Sequence, residues 1–133
     1  MIFLDTHVLF WAVAEPRRLS REAARTIEKA GASDGVGIAS ASLFELADLF
    51  QTRRIRGAGT LSLVSAVQSV VSAARPSVFD VTGEIACAAT ELPPEFSPDP
   101  MDRLIAATAR VYGYPLVTRD QRMRESPLIR TIW

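Results

Sequence analysis

Four acidic residues stand at comparable turns along the chain, and their positions are the feature of the sequence that indicates chemistry. Asp5 ends a short apolar run, and a carboxylate at the carboxyl end of a buried strand lies where open α/β sheets place their ligands. Glu45, Asp102 and Asp120 follow at similar positions, with Asp99 beside Asp102. The carboxyl ends of parallel strands and the helix starts that follow them share one edge of a sheet. We therefore predict that these carboxylates converge there.

Each acid also has an ordinary structural explanation. Asp5 and Asp99 could each cap a helix, and the segment Ser42–Glu45 fits a capping box. Asp102 and Asp120 could be first-turn acids that the helix dipole favours. These explanations stay open for each residue taken singly. The whole set is harder to explain in this way, because converging carboxylates in apolar surroundings repel one another and would take up protons or bind cations.

Hard divalent cations would neutralise such a cluster, because oxygen ligands suit Mg²⁺ and Mn²⁺. Cys87 is the only cysteine and His7 the only histidine, so no thiolate site or histidine cluster competes for the assignment. We expect Cys87 to pack in the interior and His7 to be partly buried near the sheet edge. A cation held by carboxylates supports hydrolysis of a phosphodiester by an activated water, without a protein nucleophile.

The composition is that of an ordered protein. Apolar residues make up 48% of the 133 residues, which predicts one domain over residues 1–133 with a full-sized core. The formal net charge is +0, so any RNA binding must use a local patch of positive charge. Neither a secretory leader nor an apolar run of membrane-spanning length is apparent. We therefore expect a cytoplasmic protein without a membrane partner.

Strands alternate with helices along the chain, which predicts an α/β fold with a parallel sheet covered on both faces. The predicted strands cover residues 2–5, 36–39, 78–81, 115–118 and 128–132. The predicted helices cover residues 6–14, 20–30, 41–54, 61–74, 82–91 and 101–112, with a helical turn at 119–124. A proline-rich loop precedes the helix at 101–112.

The four acidic segments resemble the motifs of PIN-domain ribonucleases, and most closely those of the VapC toxins of bacterial type II toxin–antitoxin pairs. Met1–Trp11 resembles the opening of that family, and Ser40–Leu46 resembles its second acidic motif. Asp99–Ala109 matches the third motif closely, and Leu116–Asp120 resembles the fourth. The order and spacing of the four segments extend the resemblance over essentially the whole chain.

This resemblance implies a three-layer α/β/α sandwich with a five-stranded parallel sheet. It also implies that Asp5, Glu45, Asp102 and Asp120 form a catalytic Mg²⁺ or Mn²⁺ site. Asp5 and Asp102 would be the most direct ligands. Asp99 is the ambiguous member, because it could cap its helix or bind the metal through water.

Four further residues are predicted to contact substrate or water. Thr6 and Thr118 resemble hydroxyl residues of the family that would orient water or a ligand. Arg103 and Arg119 each adjoin a proposed metal ligand, and the arginine fork suits phosphate. Residues 51–57 depart from the family, which has a lysine-richer segment there. That difference bears on the RNA and antitoxin contacts rather than on the acids.

The resemblance implies an endoribonuclease that acts as a toxin. Its substrate would be tRNA, rRNA or mRNA, its assembly a homodimer, and its partner a cognate antitoxin whose tail covers the acidic site. The alternative is a non-catalytic PIN-like module that binds protein or RNA, which the presence of all four acids disfavours. A phosphoaspartate enzyme is a third hypothesis. Such enzymes generally need a lysine near the phosphate, whereas Lys29, the only lysine, lies in a polar helix far from the acidic turns.

Overall fold

The computed structural model describes all residues, Met1–Trp133, and contains a five-stranded parallel sheet between two layers of helices. The strands are β1 (Ile2–Leu4), β2 (Val36–Ala39), β3 (Ser77–Phe79), β4 (Leu116–Val117) and β5 (Thr131–Ile132). The helices are α1 (Thr6–Ala14), α2 (Arg21–Gly31), α3 (Ala41–Gln51), α4 (Leu63–Ala74), α5 (Gly83–Thr90), α6 (Pro100–Tyr112) and α7 (Gln121–Glu125), and a 3₁₀ turn covers Pro16–Arg18. The predicted α/β/α sandwich is confirmed.

The central strand of the sheet is β1, and the chain crosses from one side of it to the other. The strand order is β3-β2-β1-β4-β5, and every neighbouring pair is parallel. Phe3 of β1 lies opposite Gly37 of β2 on one side and opposite Leu116 of β4 on the other. Because the connections on the two sides of β1 cover opposite faces, a crevice opens at the carboxyl ends of β1 and β4.

Alternating residues of the central strands fill two separate cores. Ile2, Leu4 and Val117 belong to the core that α1, α2, α3 and α4 cover. Phe3 and Leu116 belong to the core on the opposite face, which α6 and α7 cover. All five side chains are buried. Coverage of both faces explains why these strands are apolar runs rather than alternations of apolar and polar residues.

Several boundaries differ from the predicted ranges because a side chain caps the helix or the backbone turns. The helix α3 ends at Gln51 instead of residue 54, since Thr52 is its C-cap and Arg53 has a φ of 55°. The helix α4 begins at Leu63 because the Ser62 side chain caps it. The last strand covers only two residues of the predicted range 128–132.

Two side chains do not take the places that the sequence suggested. Cys87 is exposed, so the prediction that it packs in the interior is wrong. Ser42 does not form a capping box with Glu45, because Ser40 occupies the N-cap position and Ser42 is buried within α3. Its hydroxyl has no hydrogen-bond partner. None of the helices has both the length and the apolarity to span a bilayer.

Gly37 of β2 lies where the sheet leaves no room for a side chain. A Cβ atom at this position would lie 2.9 Å from a ring carbon of Phe79 and 3.3 Å from the Met1 sulfur. Phe79 itself packs on Phe3, with ring centroids 4.8 Å apart, so its ring cannot move freely. We predict that Gly37→Ala lowers the free energy of unfolding by about 1–3 kcal/mol, measured by denaturant titration.

Gly83→Ala is the matched control for this substitution. Gly83 is the first residue of α5, and a Cβ atom there would meet no atom within 4 Å. Its free energy of unfolding should change by less than about 0.5 kcal/mol. Equal losses in the two variants would contradict the steric explanation for Gly37.

Candidate functional site

An acidic cleft of about 720 Å³ opens at the carboxyl ends of β1 and β4. All the acids that the sequence singled out line this cleft, and one further carboxylate joins them: Asp5, Glu45, Asp48, Asp99, Asp102 and Asp120. The predicted acids come from the N-cap of α1, the second turn of α3, the start of α6 and the turn after β4. The doubly wound topology is therefore what brings together residues that are far apart in the sequence.

Asp5 is buried, and each of its carboxylate oxygens accepts one hydrogen bond. The Thr6 N–H donates to Oδ1 over 2.7 Å, and Asp5 is thus the N-cap of α1. The Thr118 hydroxyl donates to Oδ2 over 2.8 Å, and its oxygen accepts from the Asp120 N–H over 3.0 Å. These bonds connect the end of β1 with the end of β4 and fix the orientation of the carboxylate. Thr118 thus orients a proposed metal ligand.

Three carboxylates from α3 and the start of α6 lie close together. One oxygen from each of Glu45, Asp99 and Asp102 is within 4.8 Å of the others. Asp102 accepts a hydrogen bond from the Ser97 hydroxyl over 2.8 Å, and Asp99 caps α6 by accepting from the Met101 N–H over 2.8 Å. The predicted cap at Asp99 is confirmed, and its carboxylate lies close to those of Glu45 and Asp102.

Burial raises the pKa of three carboxyls in the cleft. Desolvation raises the pKa of Asp5 from 3.8 to about 6, opposed by the hydrogen bond from Thr118 and reinforced by the charge of Asp102. Desolvation likewise raises the pKa of Asp102 from 3.8 to about 6, opposed by the Ser97 hydroxyl. The pKa of Glu45 is also raised, mainly by desolvation. Raised values at clustered acids are typical of functional sites.

Basic side chains do not neutralise the proposed metal ligands. Arg54 pairs with Asp48, and Arg18 pairs with Glu15 outside the cleft. His7 lines the cleft, and burial lowers the pKa of its imidazole from its ordinary value of 6.5, which disfavours the charged form. The donor set at the centre of the cleft therefore consists of carboxylate and hydroxyl oxygens without a counter-charge. This chemistry fits a hard divalent cation such as Mg²⁺ or Mn²⁺.

The buried Thr6 hydroxyl is a neighbour of the Glu45 carboxylate. This hydroxyl is fully buried and has no hydrogen-bond partner that meets normal geometry. It nevertheless lies near enough to the Glu45 carboxylate to lower the pKa of that group, against the larger effect of burial.

Arg103 has a different role from the predicted contact with substrate. It does not line the cleft, and its guanidinium donates to the backbone carbonyls of Ala89, Leu92, Pro93 and Ser97. These bonds tie α6 to the end of α5 and to the loop that follows. Adjacency to a metal ligand in the sequence was misleading, because neighbouring residues of a helix do not share a face.

The cleft also contains aromatic residues and Arg18, which the sequence alone did not assign to the site, beside the predicted Arg119. Trp11 lies near two guanidinium groups, with Arg18 at 4.8 Å and Arg119 at 6.0 Å from the centre of its indole ring. His7 packs near the same ring, and Phe44 is 67% exposed at the cleft. Positions 7 and 11 are one helical turn apart just after Asp5, and this spacing could have shown that His7 and Trp11 lie on the same side of α1, next to the cleft.

Residues 2–127 match the model of the PIN domain family. The chain is 40% identical over 134 residues to Ribonuclease VapC22 of Mycobacterium tuberculosis, with 99% of this chain and 98% of that protein covered. Its fold is similar to that of VapBC2 from Rickettsia felis bound to a promoter DNA fragment, with a TM-score of 0.70, 19% identity, and coverage of 98% and 97% of the two chains. It is also similar to a toxin–antitoxin complex from Klebsiella pneumoniae, with a TM-score of 0.64, 18% identity, and coverage of 96% and 94%.

The raised pKa of Asp5 predicts that its charge destabilises the fold in the absence of a divalent cation. Because the folded pKa of about 6 exceeds the ordinary 3.8, the free energy of unfolding should fall as pH rises between these values. Asp5→Asn should therefore stabilise the metal-free protein at pH 7 by about 1–3 kcal/mol, since Asn still accepts from the Thr6 N–H.

Thermal unfolding in EDTA, followed by circular dichroism at several pH values, measures this effect. The advantage of Asp5→Asn should shrink as pH falls below about 6 and vanish at about pH 3, below the ordinary pKa of 3.8, where the aspartic acid is protonated in both states. Asp80→Asn, which alters an exposed carboxylate outside the cleft, is the control. A lower stability of Asp5→Asn at neutral pH would contradict the prediction.

Proposed function

The chain belongs to the PIN domain family, and on that premise we propose that it is a metal-dependent endoribonuclease, the toxin of a type II toxin–antitoxin pair. The observation that carries the proposal is the convergence of Asp5, Glu45, Asp102 and Asp120 in one cleft, with Asp99 beside them and no basic partner. The relative VapC22 is named a ribonuclease, which supports RNA as the substrate class. Residues 1–133 would act as one nuclease domain.

The four acids would hold Mg²⁺ or Mn²⁺, with Asp99 as a further ligand. When bound, the cation would supply charge stabilisation to the phosphodiester and lower the pKa of the attacking water. The protein contributes fixed ligand directions. Each oxygen of Asp5 is held by its own hydrogen bond, and one oxygen of Asp102 is held by the Ser97 hydroxyl. These supporting contacts fix the orientation of the two carboxylates, each of which keeps lone pairs available for a cation.

Glu45 has a second role in this proposal, as a proton acceptor. Its carboxylate does not cap α3, and Thr6 is the only group whose hydrogen bonding lowers its raised pKa. A carboxylate with a raised pKa and little hydrogen bonding is suited to accept a proton from the attacking water. His7 also lines the cleft, and burial lowers the pKa of its imidazole, which limits the positive charge beside Glu45.

We propose three partners for the chain: an RNA substrate, an antitoxin protein and a second copy of itself. The similar fold from Klebsiella pneumoniae was solved as a toxin–antitoxin complex, which supports the antitoxin. An antitoxin would have to offset the uncompensated carboxylates, so a segment with positive charge suits the cleft. The homodimer rests on the family resemblance. The RNA substrate would be tRNA, rRNA or mRNA.

Replacing one proposed ligand tests the enzymatic function. Asp102→Asn removes a cation ligand but retains an oxygen that can accept from the Ser97 hydroxyl, so the fold should persist. We expect RNA cleavage with Mg²⁺ to fall about a hundredfold or more, measured by gel analysis of a labelled RNA. Addition of EDTA should abolish cleavage by the wild type.

Asp48→Asn is the matched control, because Asp48 lines the same cleft but already pairs with Arg54. Its cleavage rate should stay close to that of the wild type. Full activity of Asp102→Asn, or of the wild type in EDTA, would reject the metal-dependent site. Binding of RNA without any cleavage by the wild type would instead favour the alternative function, a non-catalytic PIN-like binding module.

The raised pKa values also predict how cation binding depends on pH. With the pKa of Asp5 and of Asp102 at about 6 in the metal-free protein, a cation must displace protons below that pH. Mn²⁺ affinity, measured by isothermal titration calorimetry, should fall by about tenfold or more between pH 7 and pH 5. In Asp102→Asn the pH dependence should be weaker, because one titrating ligand is absent. An affinity that does not change with pH would show that these carboxyls do not bind the cation.

A further inference from the structure

One wall of the cleft, around Trp11, is formed by arginine and aromatic side chains. A hydrolytic site made of carboxylates does not require these residues. The guanidinium of Arg18 lies 4.8 Å from the centre of the indole ring, and that of Arg119 lies 6.0 Å from it. His7 and Trp133 pack near the same ring, with centroids at 5.7 Å and 6.0 Å. The indole is only 6% exposed, so it cannot serve as a platform on which an RNA base stacks.

Arg119 is the cation of this wall that is free to bind an anion. Three arginines line the cleft, and two of them already pair with carboxylates: Arg54 with Asp48 and Arg18 with Glu15. Arg119 is exposed and takes part in none of the salt bridges, even though Asp120 follows it in the sequence. The face of an indole attracts a guanidinium without neutralising its charge. Trp11 therefore holds Arg119 while leaving its five N–H donors available.

An RNA strand needs such a group to enter this cleft. The proposed ligands repel phosphate, and the chain has a formal net charge of +0, so no long-range field draws RNA in. A local cation at the mouth of the cleft supplies the missing attraction. Arginine can do this with two parallel hydrogen bonds to one phosphate, which also fixes the position of the strand.

We propose that Arg119, held by Trp11, binds a backbone phosphate of the RNA strand that flanks the scissile phosphate, and that Trp11 is a positioning residue for this contact. Arg18 lies on the same ring and adds a weaker contact, because Glu15 competes for it. The inference rests on the proposed ribonuclease function, and it assigns the strand a defined path along the wall formed by α1 and the β4–α7 turn.

Equilibrium binding tests the contact separately from cleavage. Fluorescence anisotropy would follow a labelled single-stranded RNA of about twelve nucleotides in EDTA. We expect Arg119→Gln to weaken binding about three- to tenfold and to reduce the slope of log affinity against log salt concentration by about 0.7, the value for one phosphate on a single strand. Arg122→Gln is the matched control, because Arg122 is also exposed and unpaired but lies outside the cleft. Equal behaviour of the two variants would overturn the proposal.

A double-mutant cycle tests whether Trp11 acts through Arg119. Trp11→Leu should weaken RNA binding and reduce the salt slope as Arg119→Gln does, and the double variant should show little further loss. Trp11→Phe keeps an aromatic face and should restore part of the affinity. Thermal unfolding reports any structural damage from altering this buried side chain. A Trp11→Leu variant that remains folded and retains the wild-type salt slope would reject the positioning role.

The outcomes separate this inference from the proposed function. If Asp102→Asn abolishes cleavage but Arg119→Gln binds RNA like the wild type, the phosphate contact is wrong and the nuclease stands. If Arg119→Gln weakens RNA binding while the acidic variants cleave normally, the contact stands and the metal site is wrong. Failure of the wild type to bind the RNA at all would overturn the contact.

Discussion

The hydrogen bond from the Thr118 hydroxyl to the Asp5 carboxylate is the contact on which the rest of the site depends. It joins the carboxyl ends of β1 and β4, two strands that the chain connects only after crossing both faces of the sheet. The same hydroxyl accepts from the Asp120 N–H, so a single side chain positions the first and last acids of the cleft. The bond also lowers the pKa of Asp5 against the effect of burial, which keeps a buried carboxylate available as an anion.

The sequence predicted the parts of this structure that local patterns determine. The apolar strands at 2–5 and 36–39 could be predicted because they are buried on both faces, and the caps Asp5 and Asp99 follow from side-chain chemistry at helix starts. Convergence of the acids was also predictable, because strand ends and helix starts of a parallel sheet share an edge. At Asp99 the ordinary explanation holds, since this residue caps α6, and its carboxylate also lies close to those of Glu45 and Asp102.

The remaining features depend on contacts between distant segments, which no local pattern encodes. Ser42 fitted a capping box by its spacing to Glu45, but the chain turns into α3 two residues earlier. Arg119 was singled out for its neighbour in the sequence, whereas its most informative contact is with Trp11, more than a hundred residues away. Short strands such as β5 were predicted too long, because apolar residues like Ile129 also pack beside a sheet without joining its ladder.

The four hydrogen bonds from Arg103 to backbone carbonyls hold the proline-rich loop in one conformation. This loop carries Ser97 and leads into Asp99, so two groups of the acidic cluster depend on its conformation. Because the guanidinium already fixes the loop carbonyls, a ligand that reaches these residues meets an ordered surface and does not bear the entropic cost of organising it. Arg103 thus lies outside the cleft but fixes the loop that leads to Ser97 and Asp99, at a cost in chain freedom that is met during folding.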